Sequence, residues 1–356
     1  MNKPLLVIAN LYPTEERPFF GTFVKNTSID LESKGIQVDR IVLPQFGKGF
    51  LAYLKFYLSC FLKLTSFEGI VYVHYVSHSI LGVLAARIVN KKFKVVLHYH
   101  GSDAFPESYE GSFRRRIKRA ICKKSNKLAS LFVVPSNYFR RKISSSYRIP
   151  KSMIIISPSG GIDLDVFYPS KGNVKMSSNE LTYLFASRFV PGKGSMQAAQ
   201  TAVEVAKENP NVNFRFVGDG PEKPEIEKLL SNLVAQGRCE IKPSLPQNQL
   251  ADEFRKADFF MFPSVREGES LGLVVIEAMA CGAIPLAIRQ GAIDEIIGEC
   301  PIVTCDEQQN FSSLVASTAG FSKETITELR NRFIDRSLNY NREIVVEHLV
   351  DEFNKL

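Results

Sequence analysis

At 356 residues, with 45% hydrophobic and 23% charged residues, the chain has the size and composition of two globular domains, which excludes a disordered or fibrous protein. No apolar run is long enough to span a bilayer, and the six cysteines at 60, 122, 239, 281, 300 and 305 lack metal or disulfide-framework spacing, so reduced thiols are expected. The net charge of +8 is unevenly placed: residues 1–170 hold 25 Lys and Arg against 11 Asp and Glu, and residues 171–356 hold 20 against 26, so the first half is expected to meet something anionic.

In chain order, apolar runs alternate with helical patterns, as in parallel α/β sheets. Met1 to Asn10 has too short an apolar run for a signal peptide and reads as a first strand, 4–9. Strands follow at 36–43, 69–75, 93–98, 130–134 and 153–157, with helices at 22–34, 50–65, 78–90, 112–127 and 137–147 between them. In the second half, strands are expected at 181–187, 213–217, 239–242, 258–263 and 284–288. Helices are expected at 195–208, 223–236, 247–256, 272–281 and 292–297, with more helix after 308 and a last one near 340–355. The stretch 169–179 has no periodicity and is rich in linker residues. Domains are therefore expected at 1–168 and 180–339.

The most informative stretch is Pro263 to Gly282, which holds two carboxylates, Glu269 and Glu277, eight positions apart. The buried run before it and the Gly282 stop after it place Glu269 just ahead of a helix N-terminus, at the C-terminal edge of a parallel sheet where such sheets bind ligands. The free N–H groups there, around Ser270, Leu271, Gly272 and Leu273, suit a diphosphate. Eight residues of helix span about 12 Å, the scale on which one carboxylate takes sugar hydroxyls and the other ribose hydroxyls. Arg188 at the exit of strand 181–187 and Lys193 ahead of the next helix are two cations suited to a diphosphate and to the charge that grows on it as a glycosidic bond breaks.

These segments resemble the retaining glycosyltransferases of family 4, with their E-x7-E signature and GT-B fold of two Rossmann-like domains facing a central cleft. The resemblance covers nearly the whole chain. It implies that the terminal helix, 340–356, returns to the first domain. It implies a nucleotide sugar as donor, metal-independent transfer with retention, and no cofactor. Phe185 to Ser195 looks like the family's G-R-x-x-x-x-K-G, with Ser187 in place of the usual glycine. The loop at Gly218 and the residue Lys242 stand where the family meets the nucleotide, and Gly21 stands where it approaches a phosphate, with Phe20 in place of a second glycine. His100-Gly101-Ser102-Asp103 looks like the family's H-G-x-D, in which His100 serves the transferred sugar and Asp103 the acceptor; a buried His and a capping Asp are the structural alternative.

His74 with His78, and His98 with His100, gather at strand ends, but the spacing does not face ligands toward one another, so no metal is expected. Asp163-Leu164-Asp165 reads as a turn segment like the family's G-V-D-x-x-x-F-x-P, not as a metal motif. Helix 112–127 carries Arg114, Arg115, Arg116, Lys118, Arg119, Lys123, Lys124 and Lys127, and helix 50–65 is apolar and aromatic; together they suit an anionic membrane surface. No nucleic-acid reader motif is present. The expected function is a cytoplasmic glycosyltransferase, peripheral at the inner membrane face. Its acceptor is expected to be a lipid-linked or surface glycan of the lipopolysaccharide, capsule or O-antigen type. The alternatives are a sugar-nucleotide epimerase or hydrolase of the same fold, or a basic membrane-binding protein without catalysis.

Overall fold

A computed structural model describes residues 3–15, 21–43, 49–107, 110–170 and 180–356. The chain forms two units, residues 1–161 with 342–356, and residues 162–341. Each is built on a six-stranded parallel sheet, because short apolar strands separated by helices can pair only through crossovers.

Unit 1 runs β1 (Leu5–Ala9), α1 (Thr22–Ser33), β2 (Val38–Val42), α2 (Gly49–Leu64), β3 (Ile70–His74), α3 (Val76–Ser79), α4 (Leu81–Val89), β4 (Lys94–His98), α5 (Ser112–Ser125), β5 (Ala129–Val134), α6 (Asn137–Tyr147) and β6 (Ile154–Ile156). Its sheet order is β2-β1-β3-β4-β5-β6. Side chains alternate across the strands and create two cores. Leu6, Val71, Val95 and Phe132 pack with Phe56, Val83, Cys122 and Phe139 of α2, α4, α5 and α6. Leu5, Tyr72, Val96 and Val133 pack on the other face with Val24 and Leu31 of α1.

Unit 2 runs β7 (Leu181–Ala186), α7 (Ser195–Glu208), β8 (Val212–Val217), α8 (Lys223–Ala235), β9 (Cys239–Lys242), α9 (Gln247–Lys256), β10 (Phe259–Phe262), α10 (Leu273–Ala280), β11 (Ile284–Ile288), α11 (Ile293–Ile297), β12 (Thr304–Cys305), α12 (Phe311–Thr318) and α13 (Lys323–Ser337). Its order is β12-β11-β10-β7-β8-β9. The order reverses between β7 and β10, the position at which open parallel α/β sheets bind ligands beyond the strand ends. In unit 1 the same reversal lies between β1 and β3.

The last helix, α14 (Arg342–Asn354), belongs to unit 1. Val346, Leu349 and Phe353 complete the core beneath α1, Phe353 meets the Tyr72 ring edge-on at 5.1 Å, and Arg342 pairs with Asp30 of α1.

Two expectations change, and part of a third lies outside the described residues. The boundary lies at Gly161–Ile162 and not after residue 168, because buried Ile162 bridges Asn341, Phe167 packs on Phe254, and Arg255 donates to the carbonyls of Val166 and Tyr168. The linker at 169–179 falls largely outside the described residues, as does Phe20. Helix 78–90 is two helices, because Tyr75 in the left-handed region starts the first one early. The two-residue strand β12 has too few residues to show a pattern.

Phe353→Ala removes a buried ring from unit 1, which costs about 3–5 kcal/mol. Hydrogen exchange is expected to accelerate in α1, β1 and β3 while unit 2 peptides keep their rates.

Candidate functional site

The site in unit 2 is assembled from the loops that leave β7 and β10. The Val265 amide donates to the Gly192 carbonyl at 2.9 Å, and the Ser264 hydroxyl reaches the same carbonyl at 3.3 Å. Gly194 has φ 79°, and a Cβ there would lie 2.3 Å from the Pro263 carbonyl oxygen, so the two loops approach this closely only with glycine. Gln290, beyond β11, donates to the Val265 carbonyl at 3.0 Å and fixes the far side.

This packing holds Lys193 Nζ 2.6 Å from Glu269 Oε2, with only 15% and 16% of the two side chains exposed. Ser264 Oγ lies 3.4 Å from the same carboxylate oxygen. Burial pushes the Glu269 carboxyl upward, but Lys193, Arg266 and Ser264 together outweigh it and hold the group below the ordinary carboxylate range. Glu269 is thus a charged acceptor in a half-dry setting. Arg188, also on the β7 loop, is exposed and has no ion pair among the described residues.

Helix α10 begins at Leu273, on a left-handed Gly272 with no side-chain cap. The Val275 amide of its first turn donates to the Gly272 carbonyl at 2.9 Å, the Leu273 and Val274 amides have no helical carbonyl four residues back, and Ser270 and Leu271 ahead of them are buried. Glu269 to Gly272 precede the helix, so Glu269 lies just ahead of its N-terminus, as expected from the sequence, and Glu277 lies within it. Glu277 lies inside α10 at 7% exposure. Burial raises its carboxyl to about 7, against the opposing hydrogen bond of Gln247.

Two further donor candidates are set by local packing. A Cβ on Gly218 would lie 1.9 Å from the Ser187 carbonyl oxygen, and one on Gly21 would lie 2.6 Å from the Leu11 carbonyl oxygen, so each glycine is required by the neighbouring loop. The Lys242 carbonyl accepts from the Gly218 amide at 3.0 Å, and its ammonium is held by Glu253 at 3.0 Å and Glu240 at 3.2 Å. The backbone of Lys242 is therefore what adjoins the Gly218 loop.

In unit 1, Asp103 is 1% exposed. Its Oδ1 accepts the amides of His100 at 3.0 Å and Gly101 at 2.9 Å, and its Oδ2 accepts the amide of Val76 at 3.1 Å. Burial raises its carboxyl to about 6 despite these bonds. The geometry shows the capping role, with the carboxylate clamping the β4 turn to the left-handed turn at Tyr75. His100 follows β4, with Nε2 3.0 Å from His74 Nδ1 and its ring 4.6 Å from Phe23 of α1. Asp163 accepts the Asp165 amide at 3.0 Å, the turn expected there.

Ser264, Gln247 and Gln290 were not singled out in the sequence. Ser264 stands in the quoted motif, whereas the two glutamines have no local signal because their partners come from other strands.

Glu277 has a folded-state pKa above its unfolded value, so its ionisation costs stability as pH rises from about 4.5 through about 7. Glu277→Gln is therefore expected to stabilise the ligand-free protein by roughly 1–3 kcal/mol at pH 8 and to leave it unchanged at pH 4, as read by thermal melts at both values.

Two family models match in tandem, Glycosyltransferase Family 4 over residues 21–166 and Glycosyl transferases group 1 over residues 170–339. A sulfoquinovosyl transferase of Arabidopsis thaliana is 25% identical over 281 residues, covering 78% of this chain and 51% of that protein, so the chain spans about half the length of this relative. The N-acetyl-alpha-D-glucosaminyl L-malate synthase of Bacillus anthracis is 25% identical over 291 residues, covering 80% of this chain and 71% of that protein. Among solved structures, a sucrose-phosphate synthase from Thermosynechococcus elongatus superposes with a TM-score of 0.78 at 16% identity, over 99% of each chain. Anabaena HepE in complex with UDP and glucose superposes with a TM-score of 0.75 at 16% identity, over 100% of each chain. With both units accounted for by these models, the chain belongs to the family 4 glycosyltransferases of GT-B fold.

Proposed function

We propose that this glycosyltransferase takes a sugar from a nucleoside-diphosphate sugar and transfers it, with retention and without a metal at the diphosphate, to a lipid-linked or surface glycan acceptor at an anionic membrane face. The observation that carries the reading is the Lys193–Glu269 pair with exposed Arg188 at the strand-order reversal of unit 2. Solved neighbours named in complex with UDP and a sugar support the donor class.

In this reading, breaking the bond from the sugar's C1 to the diphosphate places charge on the leaving oxygens. Arg188 and Lys193 meet that charge, assisted by the N–H groups from Ser270 to Leu273. Glu269 accepts from sugar hydroxyls and Glu277 from the ribose. The Gly218 loop and the Lys242 backbone border the base. The departing diphosphate takes the acceptor's proton on the same face. In unit 1, which serves the acceptor, His100 serves the transferred sugar from the turn that Asp103 clamps, and Gly21 at the head of α1 approaches a phosphate.

The membrane part rests on one layer of unit 1. Helix α2 buries Phe56, Cys60 and Leu64 but turns Phe50, Leu54, Leu58 and Leu62 outward, one every helical turn, at 50–79% exposure. Helix α5, on the same face of the sheet, exposes Phe113 at 75%, and its Arg114, Arg116, Arg119, Lys123 and Lys124 are exposed beside it. Exposed apolar side chains and exposed cations on one helical layer are the pattern of a surface that meets an anionic interface.

A melt of wild type against a panel of nucleotide sugars tests the donor. One donor at about 100 Kd is expected to add roughly 2.7 kcal/mol, and much less to Glu277→Ala. No response to any donor would remove the reading. For the membrane, wild type is expected to sediment with anionic vesicles at physiological salt, and Leu54→Gln/Leu58→Gln is expected to stay in solution; equal sedimentation of the two would show that α2 is not the contact.

A further inference from the structure

Strands β3 and β4 end side by side with His74 opposite His98, and His100 follows two residues later. The spacing in sequence paired His74 with His78, but His78 turns to Ser77 on its own helix, and it is His74, His98 and His100 that meet. Ring centroids are 4.9 Å apart for His74 and His98, 4.0 Å for His98 and His100, and 5.2 Å for the stacked His74 and His100. One nitrogen from each ring lies within 4.8 Å of the other two. The Nε2 atoms of His74 and His98 are buried with no hydrogen-bond partner among the described residues. Leaving such an atom unpaired costs free energy, and an ion on His98 Nε2 would satisfy it; His74 would ligate through Nδ1 and keep its Nε2 unpaired.

We propose that His74, His98 and His100 form a three-imidazole site for a late first-row divalent ion of the zinc type, with a fourth position open to water or an anionic ligand. The rings suit this chemistry because burial keeps all three neutral: the pKa of His74 is lowered to about 3, and those of His98 and His100 lie well below the ordinary value. The Tyr72 hydroxyl lies 2.6 Å from His98 Nδ1, the second-layer partner that leaves a ligating Nε2 fixed in direction. His74 Nδ1 and His100 Nε2, now 3.0 Å apart, share a proton. An ion at about 2.0–2.1 Å from each would replace that proton and widen the pair by only a few tenths of an ångström. No carboxylate joins the cluster among the described residues, so hydroxide or an anionic ligand at the fourth position would balance the ion. The ion takes no part in the donor step proposed above, where Arg188 and Lys193 meet the diphosphate, and His100 is common to both readings.

The test is a titration of the chelator-stripped full chain with Co2+ and then Zn2+. The expected result is one equivalent of Co2+ with the visible absorption of a four-coordinate centre, displaced by Zn2+. His98→Gln and His100→Gln are expected to lose it, and His78→Gln to keep wild-type affinity. Tyr72→Phe is expected to keep one equivalent with affinity lowered about 10–100-fold. Absence of the equivalent in wild type, as when a water bridges the two buried nitrogens, would overturn the proposal. So would full affinity retained in His98→Gln. Should His98→Gln fail to fold, unchanged affinity in both His100→Gln and Tyr72→Phe would overturn it.

Discussion

An ammonium and a carboxylate 2.6 Å apart sit where the strand order of the second sheet reverses, and the local backbone of unit 2 is arranged around holding them there. Burial alone would push the Glu269 carboxyl upward, and it is Lys193, with Arg266 and Ser264, that holds it charged. The pair keeps Glu269 ionised without a ligand, and therefore ready to accept hydroxyl hydrogen bonds. The glycine at 194, the Ser264 and Val265 contacts to Gly192 and the Gln290 brace all serve the same close approach of two loops. Glu277 differs: without a countercharge, burial raises its carboxyl to about 7 and leaves it only partly ionised at physiological pH. Two carboxylates of one motif thus differ in charge because their partners differ.

Unit 1 uses a carboxylate for another purpose. Asp103 satisfies three backbone amides and stiffens the turns that carry His74 and His100. Such rigidity is what an acceptor-binding surface needs if it is to position a hydroxyl without first ordering a loop. The helical layer of α2 and α5 in the same unit carries the outward leucines and the exposed cations, the surface proposed for membrane attachment.

Most of the architecture was legible because parallel strands buried on both faces read as continuous apolar runs, such as Phe259–Phe262, and because glycine at 282 stops a helix cleanly. Glu269, Lys193 and Arg188 stand out in the sequence because loops at a sheet edge carry polar residues that no core requires, and the structure pairs the first two. Partners from distant strands were not legible. Gln247 and Gln290 carry no pattern of their own, and the histidine cluster depends on the lateral register of β3 and β4, which local spacing does not encode. The membership of residues 162–168 in unit 2 rests likewise on long-range contacts, those of Ile162 with Asn341 and of Phe167 with Phe254.

The most direct measurement is single-turnover cleavage of the matched nucleotide sugar by wild type, Arg188→Ala and Glu269→Gln, with acceptor present and the anomeric configuration of the product read by NMR. The account predicts a product that keeps the donor's configuration and rates lowered about 100-fold or more in each variant, the scale of losing one group that stabilises developing charge. Wild-type rates in both variants, or an inverted product, would contradict it.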